Sequence, residues 1–187
     1  MSHYRELTSA MMKTFPNIAV EHIKIDSHTM FTEDLFENIL GPTIMCRRIV
    51  FGFTQWLAGH PHGRPTLFPE YHNMTIVLMD LLKSKENTLK ELGAEVYIRS
   101  VHYVSLYKWL GDCPPKDWRS PPVIDGYNAI LKYLCKERGI SFIDTTFLIG
   151  PVWDWTFDWY HFDGYKAEQE IVYILSVMLS QLFKNKN

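Results

Sequence analysis

Ala94-Glu95-Val96-Tyr97-Ile98-Arg99-Ser100-Val101 is a short extended stretch, set off by Gly93, lying between the two clearest helical segments of the chain. Before it, Met74, Val77, Leu78, Leu81 and Leu82 recur at helical spacing, with Asn73 at an N-cap position. After it, Tyr127, Ile130, Leu131, Leu134 and Cys135 mark one face of a second helix, capped by Asp125 and stopped by Gly139. A strand bracketed by helices is the repeating unit of a parallel sheet, because parallel strands need a long crossover between them.

The same alternation extends outward in both directions. Arg5 to Phe15 predicts a short helix with Leu7, Met11 and Met12 on one side, and Ile18 to Ile25 a strand. A loop containing Gly41-Pro42 precedes a second strand-like run, Arg48 to Phe53. His60 to Pro69, rich in Pro, Gly and His, and Lys108 to Pro122, with four prolines, read as loops. Ile140 to Asp144 is strand-like, and a Trp-rich loop follows it. The last helix starts at Gly164, with Ile171, Ile174, Leu175, Met178 and Leu182 facing inward. The pattern predicts one α/β domain over residues 1–187, a three-layer α/β/α sandwich around a parallel, flavodoxin-like sheet. Ligands of such sheets bind at the carboxyl ends of the strands. The loops of interest therefore follow Ile25, Phe53, Val101 and Asp144.

Composition narrows the partners. The 19 Lys and Arg against 21 Asp and Glu give a net charge of −2, with no basic field for nucleic acid. No stretch is long and apolar enough to span a bilayer; the best, Ile171 to Phe183, is short and interrupted by Ser176, Ser180 and Gln181. The first residues read as a polar helix rather than a signal peptide. Cys46, Cys113 and Cys135 are too few and scattered for a disulfide framework or a zinc cage. They suit one disulfide with a spare thiol as well as three reduced thiols. Asn73-Met74-Thr75 is a glycosylation sequon, with meaning only in the secretory pathway. His60, His62 and His72 have a ligand-like spacing but no acidic or thiol partner close by, which favours an exposed loop over a metal site.

Asp158-Trp159-Tyr160-His161 lies between the last strand and the last helix, at the functional edge of the sheet. Ester cleavage by a serine needs a histidine that takes the nucleophile's proton. A carboxylate on the other ring nitrogen fixes the tautomer and stabilises the imidazolium. Two residues between Asp158 and His161 let one loop supply both groups. Taken alone, the pair reads more readily as a turn-capping aspartate followed by a partly exposed loop histidine.

The context adds to this. His161-Phe162-Asp163-Gly164-Tyr165 runs directly into the closing helix. With Asp158 it resembles the D-x-x-H-[LFY]-x-x-x-[GA]-Y-like ending of the SGNH (GDSL) hydrolases. Arg48-Ile49-Val50-Phe51-Gly52-Phe53-Thr54-Gln55-Trp56 resembles the third-strand block of their PC-esterase and NXPE-like branches. Tyr97-Ile98-Arg99-Ser100, Asp117-Trp118-Arg119, Tyr127-Asn128 and Ile143-Asp144 follow in the order those branches show. The individual motifs are short, and the weight of the resemblance lies in their order across most of the chain.

The family's nucleophile sits in Gly-Asp-Ser after the first strand, and one form continues Ser-His-x-Arg. Here Met1-Ser2-His3-Tyr4-Arg5 puts Ser2 in that register, with Met1 where the aspartate would stand and the Gly-Asp pair absent. The resemblance thus implies that the N-terminal central strand of a 2-1-3-4-5 sheet is missing and that the sequence is N-terminally truncated. Its neighbours would otherwise expose unpaired backbone groups and leave a gap in the core. An upstream signal, and with it a secretory location, would belong to the same missing segment.

The resemblance also implies an oxyanion hole, whose donors are each worth about 3–4 kcal/mol of barrier in a serine protease. Gly52 and Gln55 are its candidates after the third strand, where the family's common asparagine is absent; Gly41 is a further candidate glycine. Arg99 and Arg119 are candidates to orient an anionic or carbohydrate substrate. Trp153, Trp155, Phe157, Trp159 and Tyr160 either cover the edge of the core or form a platform for a sugar ring or acyl group. The expected activity is ester hydrolysis or O-acyl transfer by Ser2, His161 and Asp158, without cofactor or metal, on small-molecule or glycan esters. The alternative is a catalytically inactive SGNH-like binding domain, favoured by the absent Gly-Asp and asparagine.

Overall fold

The computed structural model describes residues 3–17, 48–52, 55–58, 66–103, 120–150 and 164–184. Ten elements run along the described residues. They are α1 (His3–Thr14), β1 (Arg48–Phe51), a 3-10 turn (Gln55–Ala58), α2 (Phe68–Ser84), α3 (Glu86–Glu91), β2 (Glu95–Arg99), α4 (Pro121–Arg138), β3 (Ser141–Ile143), α5 (Thr146–Ile149) and α6 (Gly164–Lys184). The three strands form a parallel sheet in the order β1-β2-β3, so the expected α/β class with a parallel sheet is present. The expected strand Ile18 to Ile25, Gly41, the His60–His62 segment and the Trp-rich loop lie outside the described residues.

The chain divides into two compact units. One comprises Ile25–Val101 and Lys116–Phe142; the other comprises Met1–Lys24, His102–Pro115 and Ile143–Asn187. In the first, β1 and β2 pair with Arg48 opposite Glu95 and Phe51 opposite Ile98. The register puts Arg48 beside Glu95, at 3.2 Å, and Glu95 also accepts the hydroxyl proton of Tyr97 at 2.6 Å. Tyr97, Ile98 and Arg99 are buried in succession, as a strand covered on both faces requires.

Helices α2 and α4 pack on each other. The buried face of α2 is Tyr71, Thr75, Leu78, Met79 and Leu82: Leu78 and Leu82 are inward as expected, Met74 and Leu81 are only half-buried, and Val77 is 64% exposed. A threonine can take an inward place because Thr75 Oγ1 donates to the Tyr71 carbonyl at 2.7 Å. Tyr71 is inward because its ring stacks on Tyr127 of α4, with centroids 3.9 Å apart.

Both helices start earlier than the caps expected at Asn73 and Asp125. α2 begins at Phe68, with Pro69 in its first turn and Glu70 accepting the Leu67 N–H at 3.1 Å. α4 begins at Pro121, with Ser120 at the N-cap position. Proline is tolerated in a first turn, where its missing N–H would have had no helical partner. Asn73 and Asp125 are therefore interior helix residues. The sequon falls within α2, with the Thr75 hydroxyl buried and engaged.

The returns to the sheet are alike. Gly93 and Gly139 have φ of 63° and 68°, the left-handed conformation that glycine adopts without steric cost. Each is followed by an N–H reaching back to close the helix: Ala94 to Leu89 at 2.8 Å and Ile140 to Cys135 at 2.9 Å. A strand begins two residues after each glycine, at Glu95 and Ser141.

In the other unit, α1 packs on α6 through Ala10, Ala167 and Ile171, joined by the half-buried Met11, Phe15 and Leu175. Lys13 pairs with Glu168 at 2.9 Å, and Phe147 of α5 meets the Tyr173 ring edge-on. Met12, grouped with Met11 on one side of the helix, is exposed, whereas Met11 is half-buried. Among the described residues no helix is long and apolar enough to cross a membrane.

Leu131 is fully buried in α4. Leu131→Ala is expected to lower stability by about 2–5 kcal/mol, read as a reduced urea midpoint at unchanged slope.

Candidate functional site

The pairing of Phe51 with Ile98 makes Gly52 and Arg99 the next positions of two adjacent parallel strands. Two of the sequence-derived candidates thus meet at the carboxyl edge, where α/β sheets hold their ligands. Gly52 is half-buried just beyond β1. Gln55 opens the 3-10 turn that follows. Arg99, the last residue of β2, is 1% exposed and donates from Nη1 to the Ser100 carbonyl at 3.3 Å. An arginine stays protonated even when buried, so it brings a fixed positive charge to the edge. Ser2, Asp158 and His161, and also Gly41 and Arg119, lie outside the described residues.

Two neighbouring residues of α4 hold the loops that leave this edge. The Tyr127 hydroxyl donates to the Thr66 carbonyl at 2.8 Å and is 3.4 Å from that of Leu57. Thr66 N–H in turn donates to the Leu57 carbonyl at 2.8 Å, so the 3-10 turn and the approach to α2 are drawn together on one phenol. The Phe68 ring adds an edge-on contact to Tyr127, with centroids 6.0 Å apart. One residue on, the Asn128 side chain grips the β2 exit. Val101 N–H donates to Oδ1 at 2.7 Å, and Nδ2 donates back to the Val101 carbonyl at 2.9 Å.

These two hydrogen bonds answer a definite need. Val101 lies beyond Arg99, the last ladder residue of β2, yet it is buried. Buried backbone groups left without partners cost about 1–3 kcal/mol each. The carboxamide, with one acceptor and one donor side by side, matches the two main-chain groups of a single residue.

Sequence reasoning missed Asn128 as a site residue, although a signal was there. The buried face of α4 runs Ile124, Tyr127, Asn128, Leu131, Leu134 and Cys135, so one polar residue interrupts an apolar stripe. Ile130, expected on this face, is half-exposed instead.

Of the other reactive groups, Cys135 is buried in α4, and burial pushes its thiol up to about 12. It is therefore a packing residue, since the nucleophile is the thiolate. Desolvation first, and then the Glu95 carboxylate, raise the Tyr97 phenol well above its ordinary range and keep it a donor. In the other unit, Asp144 follows β3 and its Oδ1 accepts from both the backbone N–H and the hydroxyl of Thr146. That carboxylate fixes the start of α5.

A surface depression of about 390 Å³ is lined by Thr14, Leu148, Tyr165, Glu168, Gln169 and Val172. Among the described residues that line it there is no histidine, cysteine or serine. Among the described residues no group of three or more His, Cys, Asp or Glu side chains could hold a metal ion. No protein-family model, curated protein or solved structure matches the chain.

Tyr127→Phe removes the donor that serves Thr66 and should cost about 1–2 kcal/mol in chemical denaturation. Cys135 should resist iodoacetamide at a mildly alkaline pH in the folded protein and react once denatured, as read by peptide mass spectrometry. Rapid native labelling of Cys135 would show that its burial is wrong.

Proposed function

We propose that this protein is an SGNH-type ester hydrolase or O-acyltransferase, with Ser2 as nucleophile, His161 as acid–base residue and Asp158 as its orienting carboxylate. The observation that carries the reading is the parallel sheet in chain order, with Gly52 and Arg99 each following directly on the paired Phe51 and Ile98 at its carboxyl edge. Strands three to five of a 2-1-3-4-5 sheet follow one another in the same way. The motif order from Arg48 to His161 supports the same assignment.

In this reading His161 takes the Ser2 hydroxyl proton as the oxygen attacks the ester carbonyl carbon. The carbonyl electrons move onto oxygen, where N–H donors around Gly52 and Gln55 stabilise the negative charge. Collapse of this tetrahedral species breaks the bond to the leaving alcohol, which departs with the proton from His161. Water, or an acceptor hydroxyl, then gives its proton to His161 as its oxygen attacks the acyl carbon, and His161 passes that proton to the Ser2 oxygen as the acyl–Ser2 bond breaks. Asp158 keeps the imidazole in one tautomer and stabilises its cation throughout. The resemblance to the PC-esterase and NXPE-like branches points to acylated glycans or glycoconjugates as substrates.

A second reading is a binding domain of the same fold without catalysis. The absence of an asparagine between Gly52 and Gln55 favours it, since one oxyanion donor of the family is then lacking.

The two readings separate in a p-nitrophenyl acetate assay on protein made from the full transcript. Catalysis predicts that Ser2→Ala and His161→Ala each lower kcat/KM by at least about 1,000-fold. Equal rates in all three proteins would remove the triad; no hydrolysis in any would leave the binding domain.

A further inference from the structure

We propose that Asn128 is a positioning residue of the ester-cleaving site: it sets the backbone course of the β2 exit, against which the substrate is held. The inference rests on the esterase reading above and deepens it.

Asn128 occupies an expensive place. It is 9% exposed on an apolar helix stripe, where leucine would add buried apolar surface and a better helix propensity. Asparagine is a poor interior helix residue, because its side chain competes for nearby backbone groups. Here both ends of the amide go instead to Val101, 27 residues away in the chain. The arrangement is specific to an amide in one orientation, with Oδ1 on the N–H and Nδ2 on the carbonyl.

Gripping both groups of one residue fixes two successive peptide planes. The Val101 N–H shares its plane with the Ser100 carbonyl, the same oxygen that accepts from Arg99 Nη1. The course of the chain beyond Arg99, and the setting of a fixed positive charge, are therefore tied to one carboxamide. Tyr127 does the corresponding work for the segment after β1 through Thr66 and Leu57. One turn of α4 thus holds the chain beyond both strands whose ends carry Gly52 and Arg99. Displacing reacting or orienting groups by about 1 Å costs on the order of 100-fold in rate, so a loosened exit is read in kcat.

Asn128→Asp is a reversible test of this geometry. The carboxylate is nearly isosteric with the amide, but when ionised it has two acceptors and cannot serve the Val101 carbonyl. When protonated it again has one donor and one acceptor, as the amide does. Burial and the facing carbonyl both disfavour the charged form, so the folded-state pKa of this aspartate lies above its ordinary value. The clamp is accordingly broken at pH above that raised value and restored as pH falls through it.

The experiment compares p-nitrophenyl acetate hydrolysis by the wild-type protein, N128D, N128S and H161A, made from the full transcript, across mildly acidic to mildly alkaline pH. Folding is checked at each pH by circular dichroism. The expected result for folded N128D is a kcat lowered about 10- to 100-fold at alkaline pH, with KM changed less than about threefold. The ratio of its kcat to that of the wild type climbs toward one on acidification. N128S, which can keep one hydrogen bond but has no carboxylate to protonate, stays low at every pH; it carries the kcat comparison if N128D unfolds at alkaline pH. Wild-type kcat in a folded variant at alkaline pH overturns the proposal while leaving the esterase reading intact. A wild-type protein no faster than H161A ends the esterase reading, and this inference with it.

Discussion

The main-chain groups of Val101 pass out of the β2 ladder while still buried, and they must find partners that a strand can no longer give. Asn128 supplies both. This requirement ties α4 to the sheet at one defined height, and Tyr127, the preceding residue, then reaches Thr66 and Leu57 from the same turn. The Tyr71 ring stacked on Tyr127 carries the constraint into α2. Two crossover helices and the segments that follow β1 and β2 are thus adjusted to one short polar step in an otherwise apolar helix.

The arrangement separates the groups that build the edge from those that could react there. Arg99, Ser100 and Asn128 are buried and serve the main chain or lie beside it. Cys135 is on the same helix face, but desolvation holds it as a thiol. Gly52 is half-buried at the next position beyond β1.

Much of this fold was legible before the structure. The strands around Val50, Ile98 and Phe142 and the helices between them follow from periodicity and from the glycines at 93 and 139. The helix starts were misread because Pro69 and the Pro121-Pro122 pair resemble loop residues, whereas a first helical turn accepts them readily. The buried face of α2 was legible only in part, at Leu78 and Leu82, because two apolar stripes compete in its sequence. A stacking partner on α4 decides between them, and no local pattern encodes that partner. Gly52 and Arg99 were candidates on other grounds, and the expected strands ran past both; the structure ends β1 at Phe51 and β2 at Arg99. Ser2, Asp158 and His161 rest on motif order, and they lie outside the described residues.

By itself, then, the sequence determined the class of the fold, the alternation of strand and helix, and the segments that leave the carboxyl edge. These depend on local spacing and on the conformational limits of glycine and proline, which act within a few residues. Only the tertiary structure decided the rotation of α2, the pairing of Glu95 with Arg48, and the task of Asn128. Each depends on a partner tens of residues away, brought near by burial rather than by any signal in the neighbouring chain. An asparagine between apolar residues is only a cost until the orphaned backbone of Val101 is set against it.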